Sequence, residues 1–305
     1  FSILMAQKSG AGEYGKLRQV ITNAIVLAAV CAVSLTLISE AAVGAVVSLL
    51  RTPQEIRPIS MAYLRILFAG LPVVMVYNLA AAILRALGNG RKPLIAMVIA
   101  SLTNIVLDIL FVMGFGWGVQ GAAVATLIAQ CFSAAYCIWH IRKIEVLQFG
   151  REDWKLEGSL CGRLMTFGLP MAFQNTVISV GGMIVQTIVN GFGVTFIAGL
   201  TATNKLYGLL ESSAISFGFA TATYIGQNFG ARNLPRIRSG IRSAMKLAAV
   251  FAIAISIAMV VSGRYLLMMF ISSSDANAPL VLDLAYQYLT VMSVTLIILY
   301  ALHIY

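Results

Sequence analysis

Long apolar runs, separated by short charged or glycine-rich connections, divide the chain into eight stretches at about residues 20–50, 59–84, 93–115, 118–139, 164–190, 194–225, 244–271 and 284–305. Each approaches or exceeds the roughly 20 mainly apolar residues that carry a helix across the hydrocarbon of a bilayer. Runs of this length predict helices rather than barrel strands, because a helix satisfies all its backbone amides within its own segment. The opening FSILMAQ, residues 1–7, reads as the end of an earlier span, and the last run reaches Tyr305 without a polar exit. The pattern therefore predicts an all-α integral membrane protein with about eight complete or nearly complete spans, and a sequence cut from a longer one.

One connection returns. Residues 7–21, QKSGAGEYGKLRQVI, align without gaps on residues 227–241, QNFGARNLPRIRSGI, with identities at Gln7/Gln227, Gly10/Gly230, Ala11/Ala231, Arg18/Arg238 and Ile21/Ile241. A weaker echo pairs YLRI at 63–66 with YLTV at 288–291. The repeat recurs after six spans, an even number, so both copies enter from the same side and the repeats are parallel. The chain then divides into a first lobe at 1–140, a linker at 141–162 and a second lobe at 163–305. The linker carries the charged REDWKLEG, and the amphipathic IEVLQF and LCGRLM beside it are expected along the membrane interface. Two parallel bundles with polar residues inside their spans suit alternating access, in which a central site opens to each side in turn.

Composition agrees: 60% of residues are hydrophobic, 10% are charged and the mean hydropathy is +0.90, against about 25% charged in a soluble domain. A net charge of +10 would suggest a polyanionic partner in a soluble protein. Here 16 of the 21 Lys and Arg fall on alternate connections, around residues 8–18, 85–92, 142–163 and 232–246. That asymmetry is the positive-inside signature, so the charge reports topology, with the basic loops cytoplasmic at a plasma membrane, and no nucleic acid is expected. Cys31, Cys131, Cys137 and Cys161 show no C-x-x-C spacing and read as small packing residues. His140 and His303 have no H-E-x-x-H context. With no paired nucleophile and base, no catalytic carboxylates and no metal motif, neither enzymatic activity nor a cofactor is expected.

The candidate chemistry lies in the few polar residues inside the spans. Asn104 and Asp108, spaced i, i+4 within LTNIVLDILF, share a helix face that Ser101 extends, and the next run carries Thr126, Gln130 and Ser133 at helical spacing. The short turn GFGWG at 114–118 makes these helices antiparallel neighbours. Asp108 and Thr126 then lie roughly 9 and 12 Å from that turn at 1.5 Å per residue, close enough in depth to meet. A carboxylate, an amide oxygen, a hydroxyl and a nearby carbonyl suit a sodium ion, and the same carboxylate could hold a proton. Hydrogen bonding between helices accounts for Ser101, Gln130 and Ser133, whereas an intramembrane carboxylate is a functional candidate by default. In the second half Asn175, Ser179, Gln186 and Asn190 form a stripe with Gln174 beside it, and Asn204, Lys205 and Glu211 follow in the next run. Lys205 and Glu211 could neutralise each other. Glu40 is a lesser candidate, and Pro72 and Pro170, each within a G-L-P, mark kinks or helix starts.

RALGNGRKP at 85–93, NIVLD with GVQGAAVAT at 118–126, FGLPMAFQN at 167–175 and YIGQNFGA at 224–231 together resemble the multidrug and toxic compound extrusion (MATE) transporters, above all their DinF-like branch. The resemblance implies twelve helices in two six-helix lobes, of which residues 1–139 run from the end of helix 2 through helix 6 and 164–305 from helix 7 into helix 10. It implies export of organic cations and other amphipathic compounds in exchange for sodium ions or protons, by a monomer in the plasma membrane. In that branch the first-lobe cation site matches Asn104, Asp108 and Thr126, with the Ala122 carbonyl as a further donor. Gln174 and Asn175 stand where another branch carries a helix 7 Glu. A flippase or exporter of lipid-linked saccharides is the alternative within the wider superfamily, but it needs a strongly cationic cavity, and few cations, Lys205 and Arg65 among them, lie well inside spans here.

Overall fold

The computed structural model describes residues 1–49, 54–192, 194–271 and 278–304. Among these residues ten α-helices follow in order: α1 (Ser2–Gly10), α2 (Tyr14–Leu49), α3 (Arg57–Ala69), α4 (Leu71–Ala86), α5 (Arg91–Asp108), α6 (Gly118–Arg142), α7 (Gly158–Asn190), α8 (Val194–Gly230), α9 (Leu234–Met268) and α10 (Ala278–Ile304). Among the described residues there is no strand, as the long apolar runs require.

Seven stretches among the described residues are long and apolar enough to cross a membrane. The eighth expected span is α8, which is a single helix of 37 residues. Its Thr, Ser, Asn, Lys and Glu residues dilute its apolar content, so it matches a span in length but not in hydropathy. A second difference concerns the run at 59–84, which is two helices. Gly70 ends α3 and caps α4, and Pro72 sits in the first turn of α4, where a missing N–H costs nothing. The other G-L-P behaves differently, since α7 continues through Pro170.

The chain forms two compact units, Phe1–Met165 and Thr166–Tyr305, so the first two turns of α7 belong to the first unit. In that unit Met5, Leu17, Ile21, Leu84, Leu147 and Leu164 meet in one core. Leu147 and Leu164 bring both ends of the expected linker into it. The linker itself contains two 3-10 turns, Glu145–Leu147 and Arg151–Trp154, and is stitched to the start of α2. Arg18 Nε donates to Asp153 Oδ2 at 3.0 Å, and the Thr22 hydroxyl donates to the Asp153 carbonyl. Asn23 works in both directions, donating to the Lys155 carbonyl at 3.1 Å and accepting from the Glu157 N–H at 2.9 Å. Thr22 and Asn23 are each 1% exposed, and burial this complete is tolerable because their polar atoms are satisfied.

In the second unit α8, α9 and α10 pack together. Tyr300 of α10 is buried between Phe217 and Phe251, with ring centroids 5.6 and 6.2 Å away. Nearby, α8 approaches α10 so closely that a Cβ on Gly218 would lie 2.7 Å from the carbonyl oxygen of His303. Because a backbone atom cannot rotate away, Gly218→Ala is expected to destabilise the protein by about 1–3 kcal/mol. Thermal unfolding in detergent tests this, and an unchanged midpoint would show that the two helices separate at no cost.

The repeated connection is the same turn in both units. Ala11 N–H bonds the Gln7 carbonyl at 3.0 Å and Ala231 bonds that of Gln227 at 3.0 Å; Gly12 bonds Ser9 at 3.1 Å and Arg232 bonds Phe229 at 3.0 Å; Glu13 bonds Lys8 at 3.1 Å and Asn233 bonds Asn228 at 2.9 Å. The turn requires a left-handed residue, which is Gly12 with φ +71° in the first copy and Arg232 with φ +55° in the second. Glycine adopts that conformation freely and arginine does not. Arg232→Gly should therefore stabilise by about 0.5–1 kcal/mol and Gly12→Ala should destabilise by a similar amount. The opposite signs of the two midpoint shifts are the check. In the first copy Lys8, and then Lys16, hold the Glu13 carboxyl below its ordinary range, so this contact is present above the unfolded pKa and lost as the pH falls through the folded one.

Candidate cation and substrate sites

The helices α5 and α6 form the antiparallel pair that the GFGWG turn predicts. Phe111, Phe115 and Trp117 pack that turn, with ring centroids 5.1–5.8 Å apart. Two hydrogen bonds set the register between the helices. Asn104 Nδ2 donates to Thr126 Oγ1 at 3.4 Å, and two turns away the buried Ser133 hydroxyl donates to the Ala96 carbonyl at 2.9 Å. Continuing that register one turn beyond Asn104 sets Asp108 level with Ala122. Thr126 in turn donates its proton to the Ala122 carbonyl at 2.9 Å. The structure thus joins three of the four expected residues, Asn104, Thr126 and Ala122, by direct bonds.

The fourth stands out by what it lacks. Asp108 Oδ1 is buried, and among the described residues it has no hydrogen-bond partner. Gln130 Oε1, on α6, is in the same condition. Such groups cost about 1–3 kcal/mol each, and more when charged, unless something else satisfies them. Ser133 bonds across helices, as expected, whereas Ser101 differs from the expectation, bonding the Met97 carbonyl of its own helix at 3.0 Å. Gln130 differs too, because its acceptor is left open.

Asp108 is also the last α-helical residue of its span. From Ile109 to Gly114 the backbone is a π-helix, and the Phe115 N–H reaches the Leu110 carbonyl at 2.9 Å, five residues back. Short π segments within α-helices are frequent at functional sites. Nothing in the side-chain pattern announces one, since a π turn changes the hydrogen-bond register and not the apolar periodicity.

On that register, the groups at the depth of Asp108 offer oxygens. With its Nδ2 committed to Thr126, Asn104 offers Oδ1, and Ala122 offers a carbonyl. Hard cations take carboxylate, amide and carbonyl oxygens, and thiolates and imidazoles suit softer ones. Among the described residues no three His, Cys, Asp or Glu side chains gather into a metal cluster, and all four cysteines are free.

In the second unit Gln174, Asn175 and Ser179 lie exposed along α7, and Gln186 is half-buried. The Asn190 side chain lies outside the described residues. On α8, Asn204 is exposed and Glu211 half-buried. Lys205 rests over the Phe270 ring, its Nζ 5.7 Å from the centroid. The described ion pairs are Lys8–Glu13, Lys16–Glu13, Arg18–Asp153 and Arg264–Asp283. The expected neutralisation of Glu211 by Lys205 is therefore absent among the described residues. Glu40 is half-buried on α2.

Comparison with known proteins places the chain in a family. The sequence profile of MatE matches residues 1–110 and 170–305, most of the chain. The chain belongs to the MatE family. Its relatives include Bacillus subtilis YpnP, a "Probable multidrug resistance protein", 30% identical over 233 residues, which are 75% of this chain and 52% of the relative. Escherichia coli DNA damage-inducible protein F is 24% identical over 239 residues, 73% of this chain and 52% of that one. The chain thus spans about half the length of these curated relatives. An outward-facing structure of a multidrug resistance MATE family transporter of the MOP superfamily superposes with a TM-score of 0.89 at 21% identity, covering 97% of this chain and 66% of the other. MatE is a family of multi-span membrane transporters of small molecules, not of enzymes.

Proposed function

We propose that the full-length protein is a secondary active exporter that moves organic cations or amphipathic compounds out of the cell in exchange for protons or sodium ions. The observation that carries this reading is the buried, unpartnered Asp108 oxygen beside the bonded group Asn104, Thr126 and Ala122. A buried carboxylate oxygen left without a partner inside a membrane span is a ready ligand for a cation, and binding or releasing one is the elementary act of coupling. Asp108 carries the charge, Asn104 and Thr126 orient and complete the oxygen shell, and the Ala122 carbonyl contributes its dipole.

Alternating access between the two lobes, drawn from the parallel repeat, would link that binding event to export. On the substrate side, Gln174, Asn175, Ser179, Gln186 and Asn190 of α7 and Asn204 and Glu211 of α8 are assigned as contacts for the exported compound. Their support is a polar stripe kept on a span where lipid would favour apolar residues. The basic connections are assigned to the cytoplasmic side of the plasma membrane by the positive-inside rule, and the protein is assigned to act as a monomer. The relatives described as multidrug resistance proteins support the substrate class. Export of lipid-linked saccharides is less favoured, because Lys205 is one cation stacked on an aromatic ring and not part of a basic cavity.

The test is efflux of a fluorescent cationic dye from vesicles carrying the full-length protein, with a pH gradient and a sodium gradient imposed separately. Efflux that follows one gradient names the coupling ion. Dye movement that ignores both, at the rate of empty vesicles, would refute the proposal.

A further inference from the structure

The first turns of α9 carry Arg238, Arg242 and Lys246 at i, i+4, i+8, with Ser239 and Ser243 between them, and these residues line an open groove of about 770 Å³. All five are exposed, and among the described residues no carboxylate pairs with any of the three cations. Arg236 is different, since its guanidinium lies 6.0 Å from the Tyr224 ring, on the face turned to α8. The three basic side chains thus form a separate face without a counter-charge.

Length fixes where that face sits. With 35 residues, α9 extends about 52 Å at 1.5 Å per residue, well beyond a hydrocarbon core of roughly 30 Å. Its uncharged part begins at Leu247 and runs past Met259, apolar but for Ser256 as far as Val261, with the next charge at Arg264. The turns from Arg238 to Lys246 therefore emerge at the depth of the lipid headgroups.

The repeat says what such a face receives. Arg238, Arg242 and Ser243 occupy the positions of Arg18, Thr22 and Asn23 in the first copy. There, the same face of the equivalent helix takes the Asp153 carboxylate and the carbonyls of Asp153 and Lys155. The second copy adds cations at Arg242 and Lys246, and among the described residues of its own unit no carboxylate pairs with them. Three cations and two hydroxyl donors at headgroup depth fit a phosphodiester better than a single carboxylate.

We propose that this face of α9 binds the headgroup phosphate of an anionic phospholipid. Guanidinium and ammonium groups hold the phosphate, the serine hydroxyls donate to its free oxygens, and the acyl chains run down the apolar surface of α9. The site is independent of Asp108, so it stands or falls apart from the coupling reading.

The experiment uses the full-length protein in nanodiscs of phosphatidylcholine containing a fixed fraction of spin-labelled phosphatidylglycerol, with spin-labelled phosphatidylcholine as the control. The immobilised fraction of each probe is read by electron paramagnetic resonance. Wild type should immobilise the anionic probe at least about fivefold more strongly than the neutral one, in line with roughly 1 kcal/mol for each basic residue at the surface. The triple variant Arg238→Gln, Arg242→Gln, Lys246→Gln should bring the two probes to parity. Arg242→Glu alone, a change on an exposed turn, should reduce the preference at least threefold without threatening the fold. Removing two charges elsewhere, Arg91→Gln with Lys92→Gln, should leave most of it. Equal immobilisation of both probes by wild type would overturn the proposal. So would a preference that survives the triple variant, or one that the control pair lowers equally, because the attraction would then belong to overall charge and not to α9. Displacement of the probe by an acidic peptide but not by added anionic lipid would also overturn it, in favour of a protein segment as the natural occupant.

Discussion

Asp108→Asn is expected to reduce gradient-driven dye efflux by the full-length protein to the level of empty vesicles, under whichever gradient drives the wild type. The substitution preserves shape and a hydrogen-bonding oxygen while removing the formal charge of Asp108, so it isolates the charge from the packing. A charged ligand to a bound cation is worth about 1.5–3 kcal/mol or more, which is roughly a tenfold to 150-fold loss of cation affinity. A coupled exporter whose site stays empty at ordinary ion concentrations cannot return, so turnover falls even further. Stability should move the other way. Asp108 Oδ1 is buried without a partner, and exchanging a half-buried carboxylate for a neutral amide of the same shape should leave the thermal midpoint unchanged or raise it. Lost efflux with retained stability identifies a coupling residue. Efflux equal to wild type under both gradients would remove Asp108 from the mechanism and turn attention to Glu211.

The same residues show how far the sequence was readable. Asp108, Asn104 and Thr126 could be found because polar atoms inside a span are rare and helical spacing fixes which of them share a face. Ser133 and Ala96 show the limit of that logic, since the bond between their helices depends on a packing distance that spacing does not contain. The π-helix after Asp108 was not legible, because it changes backbone pairing without changing which side chains are apolar. The open acceptor of Gln130 was missed for a related reason: satisfaction is a property of neighbours, and neighbours across helices are not written in the chain. Gly70 lies between these cases, since G-L-P announced a break at Pro72 but the same three residues leave α7 uninterrupted at Pro170. The aligned turn was found from its identities, yet its left-handed position is Gly12 in one copy and Arg232 in the other. Geometry was retained there where identity was not. Least legible was the linker, where only the flanking IEVLQF and LCGRLM were expected to lie along the membrane interface and nothing in REDWKLEG marked Asp153 as a residue only 7% exposed.

That burial sets up the second large effect. Asp153→Ala is expected to destabilise the first unit by about 2–3 kcal/mol, below the usual cost of breaking a fully buried ion pair because the Arg18 side chain it strands is part-exposed. Asp153 Oδ2 accepts from Arg18 Nε at 3.0 Å and from the Gly150 N–H at 2.8 Å, so its loss strands a guanidinium and a backbone donor together. Arg18 has a second contact, at 3.4 Å to the Val146 carbonyl, and is more exposed than its partner, so Arg18→Ala should cost less than Asp153→Ala. If the pair acts as a unit, the double variant should be no worse than Asp153→Ala alone, giving a coupling of about 1–3 kcal/mol in the double-mutant cycle. The thermal midpoint of the purified protein reads the size of the effect. Proteolysis reads its place, because a linker released from Thr22 and Asn23 becomes cleavable near Arg151 and Lys155 while the helices stay protected. Additive effects with an uncut linker would mean that Leu147 and Leu164 hold the linker without the ion pair. In that case the polar stitching would satisfy buried groups while contributing little to the docking.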